Sequence, residues 1–412
     1  MCGFLVYRRR GENHYIQRRG QDCTREVETG GWTFVHNLLS VTGEWRPQPF
    51  VEGDIICLFN GEIYNRPYQG SDGEVIIPLY REYGEHFARQ IDGEFAIAIY
   101  DLGAGRTLFA TDAFATKPLF CNGELECASY ASGISDPRPV PPNTTLSYEG
   151  GALRARLETH PFAWGRHPKD SYDDWIDAFE NALWRRAQDR CFYGLSSGYD
   201  SGAINLVLRR LQVDAKAYAM VRGENAQVLE ARLAATPEKT AFALSREDIF
   251  AIRRQMPVVT EPFHYRIHKD GRWQVSSLYD DPAAISMSAI CRTGQVEGRK
   301  VYLSGQGADE ILSDYSLVPG QSQFKGVFPA RIAGPWLNFH GSCMASYLGK
   351  EERIAGSYNI ETRYPFLDTR VVQEFLYLTP ELKNRAYKAP LAALFARAGY
   401  PYEENRKRGF GV

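Results

Sequence analysis

The sequence predicts two domains of different class, an α+β domain followed by a parallel α/β domain. Three observations carry this reading. At 412 residues the chain is long for a single core. Up to about residue 150 it runs as short β-like segments broken by turns. From "WIDAFENALWRRAQDR" onward, helical stretches alternate with short apolar runs. The Pro-, His- and charge-rich "HPFAWGRHPKDSYDD" divides the two rhythms. Expected boundaries are 1–155 for the first domain, 156–172 for a linker and 173–412 for the second.

In the first half the expected strands are "GFLVYR", "WTFVHNLLSV", "DIICLFNGEIYN", "EFAIAIYD", "RTLFATD" and "PLFCNGELECASY", punctuated by Asn-Gly and Asp-Gly. One helix is expected over "EVIIPLYREYGEHFARQI". In the second half "CFYGLS", "AKAYAMV" and "KVYLSG" read as buried parallel strands.

Composition excludes several function classes. A formal net charge of −2 supports neither nucleic-acid nor membrane affinity. No apolar run reaches the roughly 20 residues that span a bilayer, and "YRRRGE" turns charged too early for a signal peptide. A cytoplasmic location is expected. The eight cysteines are scattered, with no C-x-x-C pair and no histidine at zinc-ligand spacing, so neither a disulfide framework nor a structural metal is indicated.

Two features point to chemistry. Removal of Met1, expected before a small side chain, leaves Cys2 carrying thiol and free α-amine, a nucleophile and a base on one residue. Taken alone, Cys2 reads as a small apolar residue of an edge strand. The stretch "YGLSSGYDSGAINLVLRR" is sharper: a strand ends at Leu195, Ser196, Ser197 and Gly198 form a tight loop, and a helix begins near Asp200. Backbone N–H groups of such a unit converge on an anion, and Asp200 suits magnesium. Neither G-x-x-x-x-G-K nor G-x-G-x-x-G is present. "KVYLSGQGADEILSDY" repeats the arrangement with Ser304, Gly305, Gly307, Asp309 and Glu310. Two acidic loops at the carboxyl ends of strands in one sheet could share a magnesium pyrophosphate. Lys388 adds a fixed cation, which alone would read as a solvated lysine.

Together these stretches resemble the glutamine-dependent asparagine synthetase family over nearly the whole chain. "SSGYDS", "LSGQGADE" and "ETRYPFLD" are similar to that family's S-G-G-x-D-S, L-S-G-x-G-[SA]-D-E and E-x-R-x-P-F-L-D motifs, and "RKRGFGV" to its K-x-G-F segment. Cys2-Gly3, "RRGQD", "NGEIYN", "GSDGEV", "DGEFAIAIYD" and "TKPLF" follow in order in the first half. The resemblance implies a class II glutaminase domain, an αββα Ntn-hydrolase-like sandwich, followed by an ATP-pyrophosphatase domain of the adenine nucleotide alpha hydrolase type. It implies an AMP-forming carbon–nitrogen ligase acting on glutamine, ATP and a carboxylic acid, with a homodimer as one assembly open to it. Cys2 would attack the glutamine amide, and Asn60 and Gly61 would form the oxyanion hole. Glu62 and Asp72 would hold the α-ammonium group. Leu195, Ser304 and Gly305 would line the adenine, with Ser196, Ser197, Gly198 and Ser201 around the phosphates. Asp200 and Asp309 would hold magnesium, and Lys388 would stabilise charge in the transition state. Ammonia would pass through the protein to the adenylate.

Three departures from the family pattern stand out. Leu38 occupies the position of the arginine that clamps the glutamine α-carboxylate, with His36 and Arg46 as candidate substitutes. Gln306 stands where the family usually has Glu. The second half is short, and "TEPFHYRIHKDGRWQVSSLYDD" does not match the acceptor-binding region, which favours an acid other than aspartate. Two other readings stay open: an intramolecular amide-forming relative similar to β-lactam synthetase, against which the retained Cys2 argues, and a non-catalytic member, against which Asp200, Asp309 and Lys388 argue.

Overall fold

A computed structural model describes residues 2–66, 70–187, 190–221, 223–269, 272–315 and 322–407. The chain forms two compact units. The first comprises Met1–Pro161 with Val259–Glu261 and Ala355–Glu361, and the second comprises Phe162–Val258, Pro262–Ile354 and Thr362–Val412.

The first unit contains β1 (Gly3–Tyr7), β2 (Cys23–Thr29), β3 (Trp32–Leu38), β4 (Phe50–Glu52), β5 (Ile55–Ile63), β6 (Gly93–Asp101) and β7 (Arg106–Thr111). Five further strands complete it: β8 (Phe120–Cys121), β9 (Cys127–Ala128), β10 (Arg138–Pro139), β11 (Thr144–Glu149) and β12 (Ala152–Glu158). They build two antiparallel sheets, ordered β10-β8-β9-β1-β3-β2 and β12-β11-β7-β6-β5-β4. Alternation along each strand assigns its faces. Phe4, Val6 and Phe34 from one sheet pack with Ile56, Leu58, Ala96, Ala98 and Phe109 from the other, which makes a sandwich. The alternate residues Cys57, Phe59, Ile97 and Ile99 face outward onto Ile76, Ile77 and Tyr80 of the helix Ile76–Tyr83. On the far side Leu5 and Val35 pack on Ile16, Tyr130 and Ile134. Each Val, Leu, Ile or Phe among them contributes about 1.5–3 kcal/mol through burial.

The second unit carries β13 (Cys191–Gly194), β14 (Ala215–Met220), β15 (Lys239–Phe242), an antiparallel ribbon of β16 (His264–Lys269) and β17 (Arg272–Ser277), β18 (Val301–Leu303) and, from Thr362 on, β19 (Glu361–Arg363), whose first residue counts with the first unit. Its main sheet has the order β15-β14-β13-β18-β19, and the pairs joining β15, β14, β13 and β18 are parallel. The adjacent parallel strands β13 and β18 therefore release their following loops side by side, at the edge where open α/β sheets bind ligands.

Several elements depart from the sequence reading. The expected long helix after Glu74 is an α-helix only over Ile76–Tyr83, and a 3₁₀ segment, Gly84–Gln90, follows because Gly84 turns the chain at φ 56°. Asn60-Gly61 does not make a turn but lies inside β5. From Phe162 on, the Pro- and His-rich stretch is held down within the second unit: His167 Nδ1 contacts the carbonyls of Leu376 and Leu378, and Tyr172 donates to Leu382 O at 2.8 Å. Of the terminal "RKRGFGV", residues 408–412 lie outside the described residues, as does Met1. Among the described residues no helix is long and apolar enough to cross a membrane.

Candidate active sites

In the first unit a pocket gathers Cys2, Gly61, Glu62 and Asp72 with Leu38, Thr42, Arg46 and Glu361. Cys2 directly precedes β1, which β3 and β9 fix on either side. Its Sγ donates weakly to Leu39 O at 3.8 Å, and burial pushes the thiol up to about 11. The thiolate is therefore not the resting form at neutral pH, and a base has to take the proton as the sulfur attacks.

β5 supplies the donors. Leu58 faces the other sheet, so by the two-residue repeat Asn60 and Glu62 share that face. Asn60 is fully buried, and neither its Nδ2 nor its Oδ1 has a hydrogen-bond partner among the described residues. Leaving such an amide unsatisfied typically costs about 1–3 kcal/mol, so an acceptor for its N–H is the missing component. The edge of β5 tells the same story for the backbone. Phe59 N–H donates to Gln48 Oε1 at 2.7 Å and Ile63 N–H to Asp72 Oδ2 at 2.8 Å. Gly61 lies midway and by the same alternation directs its N–H to that edge, beside the pocket it lines. Only glycine fits there: φ is 145°, and a Cβ would stand 1.8 Å from Glu94 O.

The carboxylates are held from behind. Thr42 Oγ1 donates to Glu62 at 2.5 Å, and Gly73 N–H and Ser71 Oγ donate to Asp72 at 2.9 and 3.3 Å. Burial first, and then the neighbouring charge of Glu361, push Asp72 up to about 6.

In the second unit three stretches converge. Lys388 Nζ lies 2.5 Å from Asp200 Oδ1 and 2.9 Å from Asp309 Oδ1. Lys407 Nζ approaches Asp309 at 3.3 Å, and Tyr387 donates its hydroxyl to Asp309 at 2.9 Å. Lys388 itself adopts the left-handed conformation, φ 48°, at the start of the helix Ala389–Ala398, a strained geometry for a lysine. Burial opposes the Lys388 charge, but Asp200 and Asp309 outweigh it and hold the ammonium protonated. Burial also works against Asp309, yet Lys388 and Lys407 keep its carboxyl below the usual range, while burial and the neighbouring Asp309 push Asp200 up to about 6. Gly305 permits this convergence, since a Cβ there would stand 2.9 Å from Asp200 Cβ.

The serine loop is not an open cradle. Ser196 N–H donates to Ser201 Oγ at 3.0 Å, Gly198 N–H to Ser196 Oγ at 3.1 Å, and Ser197 N–H to Glu224 Oε2 at 2.6 Å. Ser197 Oγ also donates to Glu224. These donors bond the nearest protein acceptors, as buried amides must. Leu195 donates its N–H to Tyr218 O at 2.8 Å, and Ser304 Oγ donates to Glu351 at 2.5 Å. Among the described residues no group of three or more His, Cys, Asp or Glu can hold a metal alone. Two carboxylates fit magnesium of the kind completed by substrate phosphates and water.

Comparison with known proteins agrees with both halves. A glutamine amidotransferase domain profile matches residues 9–160, and an asparagine synthase profile matches residues 175–333. A probable glutamine-hydrolyzing asparagine synthetase of Schizosaccharomyces pombe is 25% identical, over 93% of this chain and 77% of its own length. Glutamine-hydrolyzing asparagine synthetases of Asparagus officinalis and Arabidopsis thaliana are 26% and 27% identical, over 89% and 93% of this chain. The chain spans 66% and 72% of those two proteins. The chain belongs to the asparagine synthetase family.

Within that family its departures now have structural surroundings. Leu38 is buried and lines the Cys2 pocket. Gln306 Nε2 donates to Glu310 Oε1 at 2.6 Å, and burial first, with Asp309 next, pushes Glu310 up to about 7. Asp368 of "ETRYPFLD" pairs with Arg185 at 2.5 Å and Arg186 at 2.8 Å and caps the helix Thr369–Tyr377. Sequence reasoning did not single out Thr42, Glu361, Glu224, Tyr387 or Lys407. Two of them carried a signal: Glu361 opens "ETRYPFLD", and Lys407 stands in the terminal motif.

Proposed function

We propose that the protein is an ATP-dependent amidotransferase that adenylates a carboxylic acid and amidates it with ammonia from glutamine. The observation that carries this reading is the meeting of Asp200, Asp309 and Lys388, from three separate stretches, at the ends of adjacent parallel strands. Cys2 is the nucleophile toward the glutamine amide. Asn60 Nδ2 and Gly61 N–H receive the oxyanion, where one such donor typically contributes about 3 kcal/mol to the transition state. Glu62 and Asp72 hold the α-ammonium group, and removal of Met1 supplies the α-amine that takes the thiol proton. In the second unit Lys388 neutralises charge developing on the phosphoryl or acyl group. Asp200 and Asp309 hold magnesium brought by the nucleotide, which when bound neutralises the pyrophosphate. Leu195, Ser304 and Gly305 border the adenine, and Ser196, Ser197, Gly198 and Ser201 the phosphates. Gln306 favours an acceptor other than aspartate, since a neutral amide neither takes a proton nor repels an anion.

The test is to incubate the full chain with ATP, magnesium, glutamine and a panel of carboxylic acids while following pyrophosphate. Acid-dependent release of pyrophosphate is expected. Its absence with every acid, including aspartate, would leave a non-catalytic member of the family.

A further inference from the structure

The geometry points to Arg46 as the clamp for the α-carboxylate of glutamine, replacing the arginine whose position Leu38 occupies; this rests on the glutaminase reading of the Cys2 pocket. The pocket's charge demands such a group. Glu44, Glu62, Asp72 and Glu361 all line it, and among the described lining residues Arg46 is the one cation. An amino-acid substrate brings an ammonium that these carboxylates welcome and a carboxylate that they repel. A guanidinium is the group that reverses the second term, and it does so with two parallel donors.

Arg46 is also positioned. It pairs with Glu44 Oε2 at 3.0 Å and Glu74 Oε1 at 3.5 Å. Glu44 N–H is tied to Gly70 O at 2.9 Å. A Cβ at Gly70 would fall 2.8 Å from Arg46 Nε and 2.4 Å from Glu74 Oε2, so the bare glycine makes room for the pair. Arg46 remains about half exposed, and its five N–H donors exceed what these two partners use. The alternatives fail on their surroundings. His36 is buried, and burial pushes its imidazole down to about 3, so it offers no charge. Arg19 is fully buried, with Nε on Cys2 O at 3.0 Å and Nη1 on Tyr130 at 2.8 Å.

The full chain is assayed for ammonia release with glutamine and with its α-carboxamide, which lacks the carboxylate. Arg46→Ala is expected to raise the glutamine KM roughly ten- to a hundredfold with kcat changed less than about threefold. It should also abolish the preference for glutamine over the α-carboxamide, and Arg46→Lys should restore only part of that preference. Leu38→Arg added to Arg46→Ala should recover it. A parental KM or an undiminished preference in Arg46→Ala overturns the clamp. Calorimetric titration of the Cys2→Ala chain with both compounds reads the clamp without turnover. Arg46-dependent glutamine binding, combined with no ammonia release by the chain that keeps Cys2, defeats the glutaminase reading alone. Binding that ignores Arg46, or no binding at all, defeats the clamp.

Discussion

The two sites differ in how their polar groups are occupied. In the glutaminase unit Asn60 keeps both amide atoms buried and unpartnered, with Gly61 beside it. In the synthetase unit the charges are spent on one another: Lys388 binds Asp200 and Asp309, and Ser197 binds Glu224. A site with spare donors is already shaped for an oxyanion and needs no rearrangement when charge appears. A self-neutralised site avoids the several kcal/mol cost of isolated buried charges, but it has to exchange partners when a nucleotide enters.

The largest effects should separate the sites. Lys388→Ala is expected to lower acid-dependent ATP–pyrophosphate exchange roughly a thousandfold while ammonia release from glutamine stays within about threefold. Asp200→Ala and Asp309→Ala should likewise abolish exchange. Cys2→Ala should do the converse, removing glutamine-driven amidation and sparing amidation driven by added ammonium. If either change removed both activities from a folded chain, the division of labour would be wrong.

A motif residue without a chemical role should behave differently from all of these. Asp368 is buried against Arg186 and Arg185, which overcome the effect of burial and keep its carboxyl below the usual range. Removing one partner of such a pair typically costs about 3–5 kcal/mol. Asp368→Ala should therefore shift the denaturation midpoint and reduce both activities together. Because its pKa is depressed, this contribution is present above the ordinary carboxylate pKa and lost as pH falls through the folded value. A normal midpoint in the variant would assign Asp368 to chemistry instead.

Much of this was legible in the sequence, for definable reasons. β1, β3, β5, β6 and β7 carry apolar residues on buried faces, and their runs announce themselves. β2 and β12, with "CTREVET" and "ALRARLE", are largely exposed, so no apolar pattern marks them and pairing with neighbours creates them. The same logic governs the sites. Residues inside glycine-rich motifs at strand ends could be named because the local backbone dictates them. Thr42 and Glu224 reach their places through tertiary packing from segments with no signature, and Glu361, though it opens "ETRYPFLD", reaches the Cys2 pocket by the same route. The serine loop was read for its geometry, and what that geometry could not tell was that Glu224 already sits on its donors.

A smaller effect concerns pH in the glutaminase pocket. Asp72, raised to about 6 by burial and then by Glu361, is ionised above that pH and neutral below it. Only the ionised form attracts the glutamine ammonium, so the glutamine KM should be flat above about pH 7 and rise up to tenfold per unit below about 6. The stability term has the opposite sign. A carboxyl whose folded pKa is raised favours the native state most below its unfolded value, and that contribution fades as pH climbs toward 6. Glu361→Gln removes one negative neighbour and should move the KM break to lower pH. A KM that is flat down to pH 5, or a break that Glu361→Gln leaves in place, would take Asp72 out of the substrate site.

The smallest expected effect tests the self-neutralised site where it is least strongly paired. Ser197 gives both its N–H and its hydroxyl to Glu224, and Asn225 N–H returns to Ser197 Oγ at 3.1 Å. A phosphate seeking those donors meets a carboxylate of its own sign. Displacing it forfeits charge-assisted bonds, and the new bonds to phosphate repay most of that loss. Glu224→Gln keeps the size of the side chain and removes the charge, so the loop should release its donors more readily. The ATP KM in pyrophosphate exchange should fall by roughly three- to tenfold, with kcat little changed, and added salt should narrow the gap between the two chains by screening the repulsion. A rise in the ATP KM would mean that Glu224 binds the nucleotide itself. The serine loop would then be arranged by its ligand's other contacts, and the contrast between a ready site and a self-occupied one would fail at this position.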